Sequence, residues 1–297
     1  MKFAAFSLKT QPGLVKVGQV SADGLSVDEF DLGVDVTELG VVAILREQLG
    51  GTMPTHSVAS HLIADLNLLA PVPRPRRNVF CVGKNYFEHA REFANSGFDT
   101  SVTQPGDDIP ADPIIFTKVP ESVVASGDPI RIPSAISTAI DYEAELAVVI
   151  GQGGKNITEA EAMDHVWAYT IINDVTSRDW QHRHKQWHMG KSFDTFCPMG
   201  PWVVTADACD GQNTSVKCWV NGELRQNATT QDLIFNIPKL IATISAGITL
   251  YPGDIIATGT PVGVGIGLKP PRYLVAGDTV RIEIGGIGSI ENPCVAG

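Results

Sequence analysis

No apolar run in the 297-residue chain is long enough to cross a bilayer as a helix; the densest, LAVVI at 146–150, suits at most a buried strand. Cysteine is sparse and unpatterned. Cys81, Cys197, Cys209, Cys218 and Cys294 are odd in number, scattered, and form no CxxC pair. That excludes a disulfide framework and a thiolate zinc site, and it reads as reduced thiols in a cytoplasmic protein. Positive charge is in deficit, with 22 Lys and Arg against 33 Asp and Glu, a formal charge of −11. Nucleic-acid binding by phosphate neutralisation is therefore not expected. A small anionic substrate is not excluded, because a metal or a local cluster can reverse the field inside a pocket. A leader is not expected either: in MKFAAFSLKT, Lys9 arrives before an apolar h-region develops. No repeat of solenoid period is present. What remains is ordinary globular composition, 43% hydrophobic and 19% charged, for one large domain or a large one with a small partner.

Residues 1–70 hold β-like stretches (FAAFSL, LVKVGQV) and a helical patch, VAILREQLG. PVPRPRR follows with three prolines in five residues. Proline fixes φ and restricts its predecessor, so 71–78 reads as an extended linker between a small N-terminal domain, 1–70, and a larger unit, 79–297. NVFCVG is strand-like. NYFEHAREFA reads as a helix from about Tyr86, with Asn85 and Glu88 in the form of a capping box. The polar, turn-rich segment 94–112 reads as a lid. Beyond 113, PIIFTKV, EAELAVVIG, YTIINDV, PWVVTA, VKCWVNGE, DIIATGT and DTVRIEIG favour strands, with helices at TEAEAMDHV and around DLIFNIPKLIATIS. Strands and helices do not alternate regularly, which predicts an α+β, β-dominated fold.

The chemistry starts at Asp141-Tyr142-Glu143-Ala144-Glu145. On a strand, alternate residues share a face roughly 6–7 Å apart, so three carboxylates would project together into a chain that continues as LAVVI. Such a row needs protons or a cation. The plain alternative is a solvent-facing acidic edge strand. Asp174, where the apolar YTIIN run turns, favours the cation, and two Glu with one Asp suit Mg²⁺, Mn²⁺ or Ca²⁺ rather than structural zinc. In the run from His182 to His188, His184 and His188 are four apart and could share a helical face and a softer metal, but Arg183 and Lys185 lie within the run and repel one. His89 and Glu92, three apart on the expected helix, can form a base oriented by a carboxylate, or an ordinary surface pair. Lys191 reads as an oxyanion anchor or a surface charge, and Cys197 in FCPMG as a buried thiol. The glycine run TGTPVGVGIG lacks a Walker lysine and a strand–GxGxxG–helix setting, so no nucleotide site is expected there.

Taken together, CVGKNYFEHAREF, DYEAELAVVIG, NDVTSRDWQ, GKSFDTFCPMGPW and GDIIATGTPVGVG, in that order over 79–265, resemble the fumarylacetoacetate hydrolase family. The resemblance implies a mixed β-roll behind a small N-terminal domain, commonly a homodimer, with Mg²⁺ or Mn²⁺ held by Glu143, Glu145 and Asp174. It implies His89 and Glu92 as a water-activating dyad, Lys191 beside the substrate oxygens, Arg178 and Gln181 at the substrate carboxylate, and Thr260 in a loop over the ligand. Asp141 belongs to the motif but stands behind the ligands. The implied reaction is C–C bond hydrolysis of a β-diketo acid such as fumarylpyruvate or maleylpyruvate, giving pyruvate and a carboxylic acid in aromatic-compound catabolism. Relatives with the same constellation carry the alternatives: oxaloacetate decarboxylation, or hydratase and isomerase reactions on 2-oxo acids such as 2-hydroxyhepta-2,4-diene-1,7-dioate. A non-catalytic 2-oxo-acid or metal-binding protein is a further one. Lys84, Arg91, His182, Arg183 and Lys185 are candidates to hold a second carboxylate. The expected partner is a small anionic 2-oxo acid, with no nucleic acid and no membrane.

Overall fold

The computed structural model describes residues 1–32, 36, 38–52, 54, 57–98 and 108–297. Its organising strand is Ala144–Ile150, in which every residue is buried. A continuous β-branched run of this kind fits a strand covered on both faces. It pairs antiparallel with Val166–Asn173 on one side and with Ile255–Ala257 on the other. The sheet grows outward through Cys197–Thr205, Lys2–Leu8, Gln11–Val20, Ser26–Phe30 and Ser57–Leu62 in one direction. In the other direction it passes through Val79–Gly83 to Ile114–Lys118. Most pairings are antiparallel, but Val79–Gly83 runs parallel to Ile255–Ala257, so the sheet is mixed.

A five-stranded sheet packs against this one in the order Glu223–Thr229, Ser215–Val220, Thr279–Ile284, Gly288–Ala296, Ile130–Ile132. Leu146, Val148 and Ile171 from the first sheet meet Val216, Ile282 and Ile290 from the second in one buried cluster. The odd residues of the same central strand, Ala147 and Val149, face Phe3, Val42 and Ile44 in a second cluster. Burial on both faces explains why LAVVI has no polar alternation. The helix Ile237–Gly247 starts where Asn236 accepts from the Lys239 amide and buries Leu240, Ile241 and Ile244. The expected α+β, β-dominated class with mixed sheets is what the structure shows. Among the described residues no helix is long and apolar enough to cross a membrane.

Strand Lys2–Leu8 pairs with Cys197–Thr205 in the first sheet, with Lys2 opposite Val204 and Phe3 opposite Val203. Several local expectations are corrected. The helix runs Phe87–Ala94, and its N-cap, Tyr86, makes no side-chain cap bond. Asn85 is not half of a capping box. It is fully buried and ties two distant loops together, donating to the Phe235 and Thr258 carbonyls and accepting from the Phe235 amide. TEAEAMDHV forms only the short 3₁₀ turn Ala162–His165. Residues 99–107 of the expected lid, 94–112, lie outside the described residues.

Candidate active site

The ends of two neighbouring strands bring the carboxylates together. Ala144 is in register with Asn173, the Asp174 amide donates to the Glu143 carbonyl at 2.8 Å, and the Asn173 side chain accepts from the Glu143 amide at 3.0 Å. This lock sets Glu143 beside Asp174, and Glu145 follows on the strand, accepting from the Gly259 amide at 2.8 Å. Ligand atoms of Glu143, Glu145 and Asp174 lie within 4.8 Å of one another, and all three residues are buried. The expected row of three carboxylates on one strand is thereby corrected. Strand Ile140–Asp141 stops before Tyr142, so Asp141 leaves the row. It accepts instead from Arg178 at 2.9 Å and from the amides of Gly265 and Ile266 at 2.7 and 3.0 Å.

Buried like charges this close must be compensated. Lys191 Nζ donates to Glu143 and Asp174, both at 2.7 Å, and Arg178 Nη1 pairs with Glu143 at 2.7 Å. Lys118, wholly buried, donates to Asp174 at 2.6 Å and to the backbone carbonyls of Val175 and Lys191. Burial pushes the Glu143 carboxyl up, but Lys191 and Arg178 outweigh it and bring it down to about 2. Glu145 goes the other way. Burial first, then the Asp174 and Glu143 carboxylates, raise it well above the usual carboxylate range. Among the described residues no cation stands within ion-pairing distance of Glu145. A buried, oxygen-only donor set with one uncompensated carboxylate fits a hard divalent cation, so this acidic triad can hold one.

The other expected residues gather at the same cleft, which His89, Glu143, Glu145, Arg178, Gln181 and Lys191 line together with Thr260. His89 is buried, and its Nδ1 lies 3.1 Å from Glu92 Oε2. Gln181 accepts from Arg178 Nη1 at 3.3 Å, and the remaining guanidinium nitrogen, Nη2, is buried with no partner among the described residues. Thr260 accepts from Gln226 Nε2 at 2.8 Å.

Among the described residues the histidine run forms no metal-ligating group. His182 faces the Phe98 carbonyl, His184 packs on Trp180, and His188 faces the Thr117 carbonyl. Of the five candidate bases for a second carboxylate, Lys84 lines the cleft. Arg91 instead reaches Glu88, and Arg183 sits over the Trp180 ring. Burial pushes the Cys197 thiol up to about 12, as suits an inert core thiol.

Sequence reasoning missed two residues. Lys118 closes the strand Ile114–Lys118, and a lysine ending so apolar a strand is itself a signal of a buried anionic partner. Gln226 bridges the Ala144 amide to Thr260 and the Pro261 carbonyl. Its position in ELRQNAT carries no such signal.

Residues 78–295 match the family described as fumarylacetoacetate (FAA) hydrolase, C-terminal. The chain belongs to this family. A family relative, the oxaloacetate tautomerase YisK of Bacillus subtilis (strain 168), is 47% identical over 231 residues, 77% of this chain and 73% of that protein. The solved fumarylacetoacetate hydrolase (EaFAH) of psychrophilic Exiguobacterium antarcticum has a TM-score of 0.81 and 39% identity, covering 100% of both chains. The maleylpyruvate hydrolase of Sphingobium sp. SYK-6, solved with manganese(II) and pyruvate, has a TM-score of 0.76 and 30% identity, again over 100% of both chains. The likeness to YisK corrects the expected activity. The family stands, but the relative with 47% identity is named a tautomerase, and this overturns the assignment as a hydrolase of carbon–carbon bonds. A divalent ion in a family structure agrees with the chemistry of the triad.

Proposed function

We propose that this protein catalyses the metal-dependent keto–enol tautomerisation of a small 2-oxo dicarboxylate of the oxaloacetate type. The likeness to YisK carries the choice of reaction, and the cleft contains the parts that it needs. Tautomerisation moves one proton between C3 and the C2 oxygen; no carbon–carbon bond breaks and no water is consumed. Mg²⁺ or Mn²⁺ on Glu143, Glu145 and Asp174 would act as a Lewis acid on the C2 oxygen and the adjacent carboxylate.

The chain's own groups do the rest. The unpartnered Nη2 of Arg178 donates to the substrate's C1 carboxylate, while Gln181 and Asp141 hold the guanidinium in place. An ammonium has three donors, and Lys191 uses two on Glu143 and Asp174. Its third faces the developing enolate oxygen, where a fixed donor in a water-poor site acts most strongly. Glu92 holds His89 Nδ1, which leaves Nε2 to carry the proton to and from C3. Lys84 is the cation for the distal carboxylate. In this reading residues 1–70, ahead of the 71–78 linker, support the scaffold and take no part in the chemistry.

The test is the decay of enol oxaloacetate, followed by its ultraviolet absorbance in the presence of Mn²⁺. The expected result is a protein-dependent acceleration that EDTA abolishes and excess Mn²⁺ restores. Decay at the protein-free rate under both conditions would sink the proposal.

A further inference from the structure

The glycine run 263–267 is no nucleotide loop, yet it holds two carboxylates of the site with backbone amides. Gly265 and Ile266 donate to Asp141, as described above, and Gly263 donates to Glu92 at 3.1 and 3.3 Å to its two carboxylate oxygens. Glu92 thus lies between this loop and His89 Nδ1, with its side chain only 10% exposed. The space it occupies belongs to Gly267. A Cβ at Gly267 would lie 1.9 Å from Glu92 Oε1, 2.1 Å from Cδ and 2.3 Å from Cγ, and these are the three nearest atoms.

The two glycines differ in kind. Gly263 has a φ of +106°, and a Cβ there would lie 1.9 Å from the Arg225 carbonyl oxygen, so a side chain would strain the backbone itself. Gly267 does not adopt the left-handed region, and the three nearest atoms a side chain there would meet all belong to the Glu92 side chain and none to backbone. An alanine at 267 is therefore expected to displace the Glu92 carboxylate first.

We propose that Gly267 is a positioning residue for the His89–Glu92 pair. Its missing side chain forms the slot that keeps the Glu92 carboxylate on Nδ1, fixing the imidazole tautomer with the proton on Nδ1 and the lone pair on Nε2. This inference rests on the proposed role of His89, but its primary test needs no substrate.

The first measurement is the ¹⁵N chemical shifts of the His89 ring in metal-loaded wild type and in Gly267→Ala. Wild type is expected to show one dominant tautomer protonated at Nδ1, and the variant a shift toward the tautomer protonated at Nε2. Identical shifts in the two proteins overturn the proposal whether or not the enzyme proves to be a tautomerase. The second measurement is a double-mutant cycle with Glu92→Ala. Misplacing one catalytic group by about 1 Å costs about 10²-fold, so Gly267→Ala is expected to lower kcat by about that factor with Mn²⁺ affinity unchanged. In the Glu92→Ala background the same substitution should change kcat no further. Effects that multiply would mean that Gly267 acts through the loop and not through Glu92. A Gly267→Ala protein that fails to fold would overturn the proposal as well.

Discussion

Glu145→Gln is expected to make the metal-free protein more stable while removing most of its activity. Removing a charge from a buried ion pair ordinarily destabilises, because the partner is left alone. Among the described residues Glu145 has no such ion-pair partner: it accepts from the Gly259 amide and faces Asp174 and Glu143. A glutamine keeps the bond to Gly259 and replaces a repulsion with two donors. The melting temperature in EDTA should therefore rise. Tight Mn²⁺ binding should be lost, and turnover should fall about 10³-fold, corresponding to ~4 kcal/mol of lost charge stabilisation.

The pH dependence has a defined sign. Glu145 holds its proton more tightly in the folded than in the unfolded chain. The metal-free wild type thus loses stability as pH rises from about 4.5, the unfolded carboxylate value, through the raised folded value. Glu145→Gln lacks this loss, so its advantage is small near pH 4.5 and widens above it. The affinity of the wild type for Mn²⁺ rises over the same window, because metal and proton compete for the same carboxylate. Thermal melts with EDTA and with Mn²⁺ across this range check both statements. A less stable Glu145→Gln protein at neutral pH would show that the triad is already compensated without a metal.

His89→Asn should separate proton transfer from metal binding. Loss of a general acid–base group costs about 10²–10⁴ in rate, and the fall is expected in kcat. The Kd for Mn²⁺ should change little, since the triad is assembled by strand ends and hydrogen-bonded by Lys118, Lys191 and Arg178. KM for oxaloacetate should also change little, because Arg178 and Lys84 carry the proposed carboxylate contacts. Turnover within about twofold of wild type would remove His89 from the proton path and leave Lys191 as the carrier.

The legible parts of the site were those where a pattern violates a strand's own economy. Carboxylates running into LAVVI pointed to a cation, and Asp174 at the end of YTIIN pointed to the same centre; the structure brings Glu143, Glu145 and Asp174 together. Strand alternation failed at Asp141 because the chain breaks pairing at Tyr142 and Glu143, a tertiary event with no local signature. Asn85 matched a capping box in spacing, but burial turned it to the Phe235 and Thr258 backbones. Lys118 and Gln226 were missed because their partners lie 56 and 34 residues away. The continuity of the N-terminal strands with the central sheet, through Lys2 and Val204, depends on a contact spanning most of the chain. The reaction was the least legible part: one set of residues suits cleavage, decarboxylation and tautomerisation alike, and the proposal of tautomerisation rests on likeness to YisK.

The most direct test of tautomerisation is ¹H NMR of oxaloacetate in D₂O with Mg²⁺ and the protein. The account predicts loss of the C3 proton signal faster than in the protein-free control, in proportion to protein concentration, with pyruvate staying at its background rate. Pyruvate accumulating in step with the exchange, or exchange no faster than in the control, would contradict it.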